Sequence, residues 1–261
     1  MSNSAATTRP SPSLPLFYKD PVALSGDEHR RHGMARKPNF GFAAESTAIP
    51  ISIAEFATAQ RHFPIVFTDD EFSVPVAVTG IVGGRNLFTE ADGGWRSGQY
   101  IPGYVRRYPF ILSQTPESGE AILLIDKASS RFVSTDDDAN AIRFFDDEGA
   151  ATAAAQEAVR FCQTAYLEQT RTTAFVQALH EHNLLVSNQA NVRFSNGATY
   201  TVNGFKIVDE SAFRALPADV LSHWLQQGWL DCVSFHLAST QNWQSLIEIH
   251  EQTQPPLSPV R

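Results

Sequence analysis

Cysteine is scarce in this chain: its 261 residues hold two, Cys162 and Cys232. A disulfide framework needs more than that. Each lies in an apolar stretch of helical character, the setting that buries free, inert thiols. Positive charge is also in deficit, with 20 Lys+Arg against 28 Asp+Glu and a net charge of −8. Nucleic acids are held by Lys and Arg that neutralise phosphates, so DNA and RNA are not expected as partners. No window approaches the roughly 18 uninterrupted apolar residues of a membrane span. Residues 1–15 lack the basic start and apolar stretch of a secretory signal. The expectation is a cytoplasmic protein with a flexible N-terminal arm at 1–15, reaching a cell surface only by a non-classical route.

Chemistry-bearing motifs are missing too. The glycine-rich run Gly80-Ile81-Val82-Gly83-Gly84-Arg85 has neither dinucleotide-fingerprint spacing nor the Lys-Ser/Thr of a phosphate loop, and reads as a tight turn. There is no G-x-S-x-G nucleophile elbow. His180 and His182 project about 200° apart around a helix, which is wrong for chelation from one face. No His is followed two residues later by Asp or Glu, as an oxygenase facial triad requires. Asp136-x-Asp138-x-Asn140 imitates a calcium loop but has Ala141 where the sharp turn needs Gly. No cofactor and no metal are expected, and catalytic residues stay unassigned.

What the chain does have is a large apolar and aromatic content: 43% hydrophobic residues, with 18 Phe, 6 Tyr and 4 Trp. At this length folding buries roughly three quarters of the unfolded surface without covalent staples. Residues 16–64 read as mostly irregular, carrying a basic cluster (His29, Arg30, Arg31, His32, Arg36, Lys37) that either pairs with the acidic excess or contacts an anion. Within this part, 51–62 reads as a helix capped by Ser52 with Glu55 three residues on, its apolar face made by Ile53, Phe56 and Ala57. Short β-branched runs at 65–67, 74–82 and 121–125, bounded by Gly, Pro, Asp and Ser, predict an antiparallel meander. Pro75 marks a strand start or a sheet edge.

Residues 151–185 give the clearest helix, with Val159, Cys162, Tyr166, Phe175, Val176 and Leu179 as its apolar stripe. A hairpin follows, 191–194 with 200–208, around Ser195-Asn196-Gly197, where Asn-Gly suits positive φ at both turn positions. Pro217 then opens a helix faced by Val220, Leu221, Trp224 and Leu225 and stopped at Gly228, and 229–251 continues as one more. The expected class is α+β: an antiparallel β-rich part at about 63–135, a long central helix, then a hairpin and C-terminal helices within 151–250, and a frayed tail at 251–261.

The segment Trp95-Arg96-Ser97-Gly98-Gln99-Tyr100-Ile101-Pro102-Gly103-Tyr104-Val105-Arg106-Arg107-Tyr108-Pro109-Phe110 stands out. Rings and guanidinium groups interleave there, a mixture suited to clamping a peptide, a planar ligand or an anion. Trp95, Tyr100, Tyr104, Arg106, Arg107 and Tyr108 are the candidate binding residues. The competing account is structural: tyrosines packed with their hydroxyls at the surface and arginines paired with acidic loops.

The block Tyr100-Ile101-Pro102-Gly103-Tyr104-Val105-Arg106-Arg107-Tyr108-Pro109-Phe110 occurs with Phe17-Tyr18-Lys19-Asp20-Pro21-Val22, Phe63-Pro64-Ile65-Val66-Phe67, Asn86-Leu87-Phe88, Ile125-Asp126, Gly204-Phe205-Lys206-Ile207-Val208-Asp209-Glu210, Gly228-Trp229-Leu230 and Asn242-Trp243. In order and spacing these resemble the bacterial SapC family over residues 16–250. The resemblance implies an association with surface layers by name and a neighbourhood of halogenase-like and oxygenase-like proteins, with no catalytic residues to carry over. Three readings follow. The first is a non-catalytic binding or accessory protein for a protein or peptide partner. The second is an enzyme or enzyme subunit in oxidative tailoring of an aromatic or peptidyl substrate, with Tyr100, Arg106, Asp126 and Asp209 as candidates. The third is a surface-layer component.

Overall fold

The computed structural model describes residues 14–114 and 121–253. Most of the expected arm, the turn at Glu117-Ser118-Gly119 and the expected tail from residue 254 on lie outside the described residues, while residues 251–253 of that tail are the end of the last helix. Eleven strands and eight helices are described, in the order β1 (Pro21–Ala23), α1 (Gly26–His29), β2 (His32–Met34), β3 (Ala48–Pro50), α2 (Phe56–Ala59), β4 (Ile65–Thr68), β5 (Pro75–Val78), α3 (Gly103–Arg107), β6 (Phe110–Gln114), β7 (Ala121–Asp126), β8 (Phe132–Ser134), β9 (Ile142–Arg143), α4 (Ala153–Glu181), β10 (Leu185–Arg193), β11 (Thr199–Val208), α5 (Glu210–Arg214), α6 (Ala218–Gln227), α7 (Trp229–Ser239) and α8 (Asn242–Thr253). This is an α+β fold with wholly antiparallel pairing.

The strands form three sheets where the sequence predicts one meander. A five-stranded sheet has the order β10-β11-β4-β5-β3, and two three-stranded sheets run β1-β7-β6 and β8-β2-β9. The β4–β5 and β6–β7 hairpins therefore belong to different sheets, and residues 16–64 contribute β1, β2 and β3 to all three. Those short strands were legible only as irregular chain because each is paired far along the sequence: β1 with β7, β2 with β8 and β9, β3 with β5. Ile65, Val66 and Phe67 of β4 are all buried, as a strand covered on both faces requires. Pro75 opens β5, an interior strand of its sheet, so of the two readings of that proline the strand start holds.

Helix α4 connects two apolar cores. Its first half contributes Ala155 and Cys162 to a core with Phe110, Ile125, Phe144 and Phe145. Its second half contributes Phe175, Val176 and Leu179 to a larger core with Phe56, Phe63, Ile65, Phe67 and Trp224. Tyr166 and Leu167, between the two, are 51% and 62% exposed, so Tyr166 is not part of the buried stripe the periodicity suggests.

Other expectations are corrected in detail. The helix expected over 51–62 is a 3-10 turn, Ile53–Glu55, running into the single turn of α2, with Ala59 rather than Ala57 buried. The hairpin forms as expected but only Gly197 of its turn has positive φ; the Phe194 carbonyl accepts from Gly197 N–H and Ala198 closes on Phe194, a three-residue loop ending in a left-handed glycine. Leu225 is exposed while Trp224 is buried. The last helix is broken at Thr240 and Gln241, because the Asn242 side chain donates to the Gln60 and Phe63 carbonyls and redirects α8.

Candidate functional site

A cleft of about 280 Å³ lies between α3 and the middle of α4, where the helix passes from one core to the other. Glu55 is part of its lining. The Ser52–Glu55 capping box is complete, with Glu55 Oε2 accepting from Ser52 N–H at 2.8 Å. Glu55 Oε1 accepts from Tyr100 Oη at 3.0 Å and from Gly103 N–H at 2.6 Å. One carboxylate thus ties the start of α2 to the start of α3. Burial, with the Glu55 charge adding to it, pushes the Tyr100 hydroxyl up to about 12, so it remains a proton donor at neutral pH.

Arg106 stands at the rim. Its Nη2 donates to Tyr100 Oη at 3.2 Å and its Nε to the Ile101 carbonyl at 3.1 Å, while the guanidinium lies 5.7 Å from the Tyr100 ring centre and 5.5 Å from that of Phe161 on α4. Arg107 lies 4.6 Å over the Tyr104 ring. Its Nε is buried without a hydrogen-bond partner among the described residues. Neither arginine is in a salt bridge with any described carboxylate, whereas Arg31, Lys37, Arg143, Arg171, Lys206 and Arg214 all are. The far wall is Phe161, Thr164, Ala165, Glu168 and Gln169 of α4.

The model of the SapC family matches residues 24–246. The chain belongs to the SapC family. Comparison with curated proteins and with solved structures finds no match.

In this SapC chain the six residues singled out by sequence divide. Tyr100, Tyr104, Arg106 and Arg107 line the cleft. Trp95 does not; it is stacked on Phe88, edge-on to Phe40, with its indole N–H donated to the Tyr100 carbonyl at 3.0 Å. Tyr108 is buried against Phe42 and Tyr18, donating to Asp126 at 2.9 Å, and burial pushes its hydroxyl up to about 12. Asp126 also accepts from the N–H groups of Lys19, Asp20 and Ala128, and Asp209 caps α5 through Ser211 and Ala212 N–H. The four candidates of the oxidative reading do not converge, since neither aspartate lines the cleft.

Sequence reading missed the α4 wall, although Phe161, Ala165 and Glu168 at i, i+4, i+7 form one helix face. It found Glu55 as a capping residue but not as the support for Tyr100. Much of the basic cluster is engaged within the molecule: Arg31 pairs with Asp136 at 2.6 Å, Lys37 with Asp92 at 3.9 Å, Arg36 donates to the Asn140 carbonyl, and His29 packs on His32 and Phe132. Asp136 is thereby occupied, and Asp138 accepts from Asn140 N–H. Among the described residues no group of three or more His, Cys, Asp or Glu is placed to hold a metal ion, and no helix is long and apolar enough to cross a membrane.

Proposed function

We propose that this SapC-family protein is a non-catalytic binding protein whose α3–α4 cleft engages a protein or peptide partner. The observation that carries the reading is the pairing of two arginines lacking a described carboxylate partner with an apolar, aromatic-walled recess. Six other cations of this acidic molecule, Arg31, Lys37, Arg143, Arg171, Lys206 and Arg214, are answered by its own carboxylates. Here Glu55, one of the two acids of the lining, spends both oxygens on Ser52, Tyr100 and Gly103. Arginine and aromatic side chains are the types that dominate binding energy at protein interfaces, and recesses where two packed units meet are where ligands are usually taken.

The test is affinity capture with intact protein as bait, comparing wild type with the double variant Arg106→Ala/Arg107→Ala and with Ala165→Trp, which fills the recess. A partner enriched by wild type and lost with both variants, at unchanged helical circular dichroism, is the expected result. Equal enrichment by all three baits removes the cleft from the account.

A further inference from the structure

The cleft is small, and its charge is concentrated at the α3 end. At about 280 Å³ it sits just under the roughly 300–1,000 Å³ of ordinary small-ligand sites. An extended peptide does not fit along it, but one residue with its adjoining backbone does. Arg106 uses two of the five guanidinium N–H groups, on Tyr100 and Ile101, leaving three unpaired among the described residues. Neither acid of the lining bonds it directly: Glu55 reaches it only through the Tyr100 hydroxyl, and Glu168 is paired with Arg171 at 3.2 Å. Beside this charge the wall is apolar, made by Ile51, Ala54, Phe161 and Ala165.

We infer that the cleft receives the C-terminal residue of the partner chain, its α-carboxylate on the Arg106 guanidinium and its apolar side chain against Phe161; this rests on the peptide-binding reading above. A terminal carboxylate is one carbon from its own side chain, so a single residue delivers both groups within a space this size. An internal Asp or Glu brings the chain in from two directions and leaves the apolar wall uncovered. The planar guanidinium fork matches a carboxylate with two parallel hydrogen bonds, and its orientation is fixed in advance by Tyr100, which is itself held by Glu55.

Calorimetric titration of the intact protein with acetyl-Gly-Ala-Phe as free acid, with the same tripeptide as its C-terminal amide, and with 3-phenylpropionate decides the matter. The free acid is expected to bind, with the amide weaker by about tenfold or more, as loss of a charge-assisted pair implies. Arg106→Ala should weaken the acid by a similar factor, and Arg106→Lys should fall between. Ala165→Trp, which leaves both arginines in place, should abolish binding. Equal affinity for acid and amide, or 3-phenylpropionate binding as tightly as the tripeptide acid, overturns the inference. It is likewise overturned, with the binding-protein reading left standing, by a captured partner that depends on Arg106 yet binds equally well after residues are appended to its C-terminus.

Discussion

Glu55 accepts four hydrogen bonds through two oxygens, from Ser52 N–H, Ser52 Oγ, Tyr100 Oη and Gly103 N–H. Replacing it by Gln swaps one acceptor oxygen for an NH₂ that must face another donor. Glu55→Gln is therefore expected to cost about 1–3 kcal/mol, read as a lower denaturant midpoint, and to lower the affinity of the cleft because Tyr100 no longer fixes Arg106. The residue spacing shows the Ser52–Glu55 box; the contact to Gly103, 48 positions later, depends on how α3 is carried back and has no local signature. His236 is similar. On the sequence it is one histidine in an apolar helix, and in the fold it bridges α7 to β11 and β4, accepting from Val208 N–H through Nε2 at 3.1 Å and meeting the Ile65 carbonyl through Nδ1 at 2.9 Å. Burial pushes it down from 6.5 to about 4. As pH falls through 6.5 the unfolded chain takes up the proton first, so this stabilisation is intact above 6.5 and is lost progressively between 6.5 and 4, by roughly 3 kcal/mol. His32 and His250 are also held low by burial, so the measurement that isolates the effect is the difference in pH dependence between wild type and His236→Gln. A slope unchanged in the variant would assign the acid loss elsewhere.

Among the elements, α4 and the β10–β11 hairpin were legible because each declares itself within a short window, one by helical periodicity, the other by alternation around Asn196-Gly197. The three short strands β1, β2 and β3 declare nothing locally, and the sheets they complete could not be drawn without their distant partners. The hairpin also holds an irregularity in register between Asn188 and Ala190, opposite which Gly204 takes φ +77°. Beyond the glycine itself and its two chain neighbours, no atom lies within 4 Å of the position a Cβ would occupy there, so Gly204→Ala isolates the backbone preference. The expected cost is about 1–2 kcal/mol, measured by equilibrium unfolding.

At the scale of the whole molecule, the two cores are joined by the exposed middle of α4, and the cleft lies at that join. Leu167 is 62% exposed, so Leu167→Ala should change stability by no more than about 0.5 kcal/mol. Leu167→Pro interrupts the helix between its two anchored halves and should cost about 3 kcal/mol or more, with unfolding separating into two transitions and peptide affinity falling. A single coincident transition in that variant would show that other contacts couple the cores. Family membership and the α+β class could be read from the chain because short motifs in order survive translation into a list of residues; the division of α4 between two cores could not, since a single stripe of apolar positions looks the same whether it faces one interior or two.

The free cysteines fall one in each interior, Cys162 with Phe110 and Ile125, Cys232 with Phe175 and Trp224, and burial pushes both thiols up to about 11. Neither reacts until its own surroundings part. Under native conditions, the labelling rate of each sulfur is thus a separate clock for one half of the protein, and the ratio of the two times how far the halves breathe together.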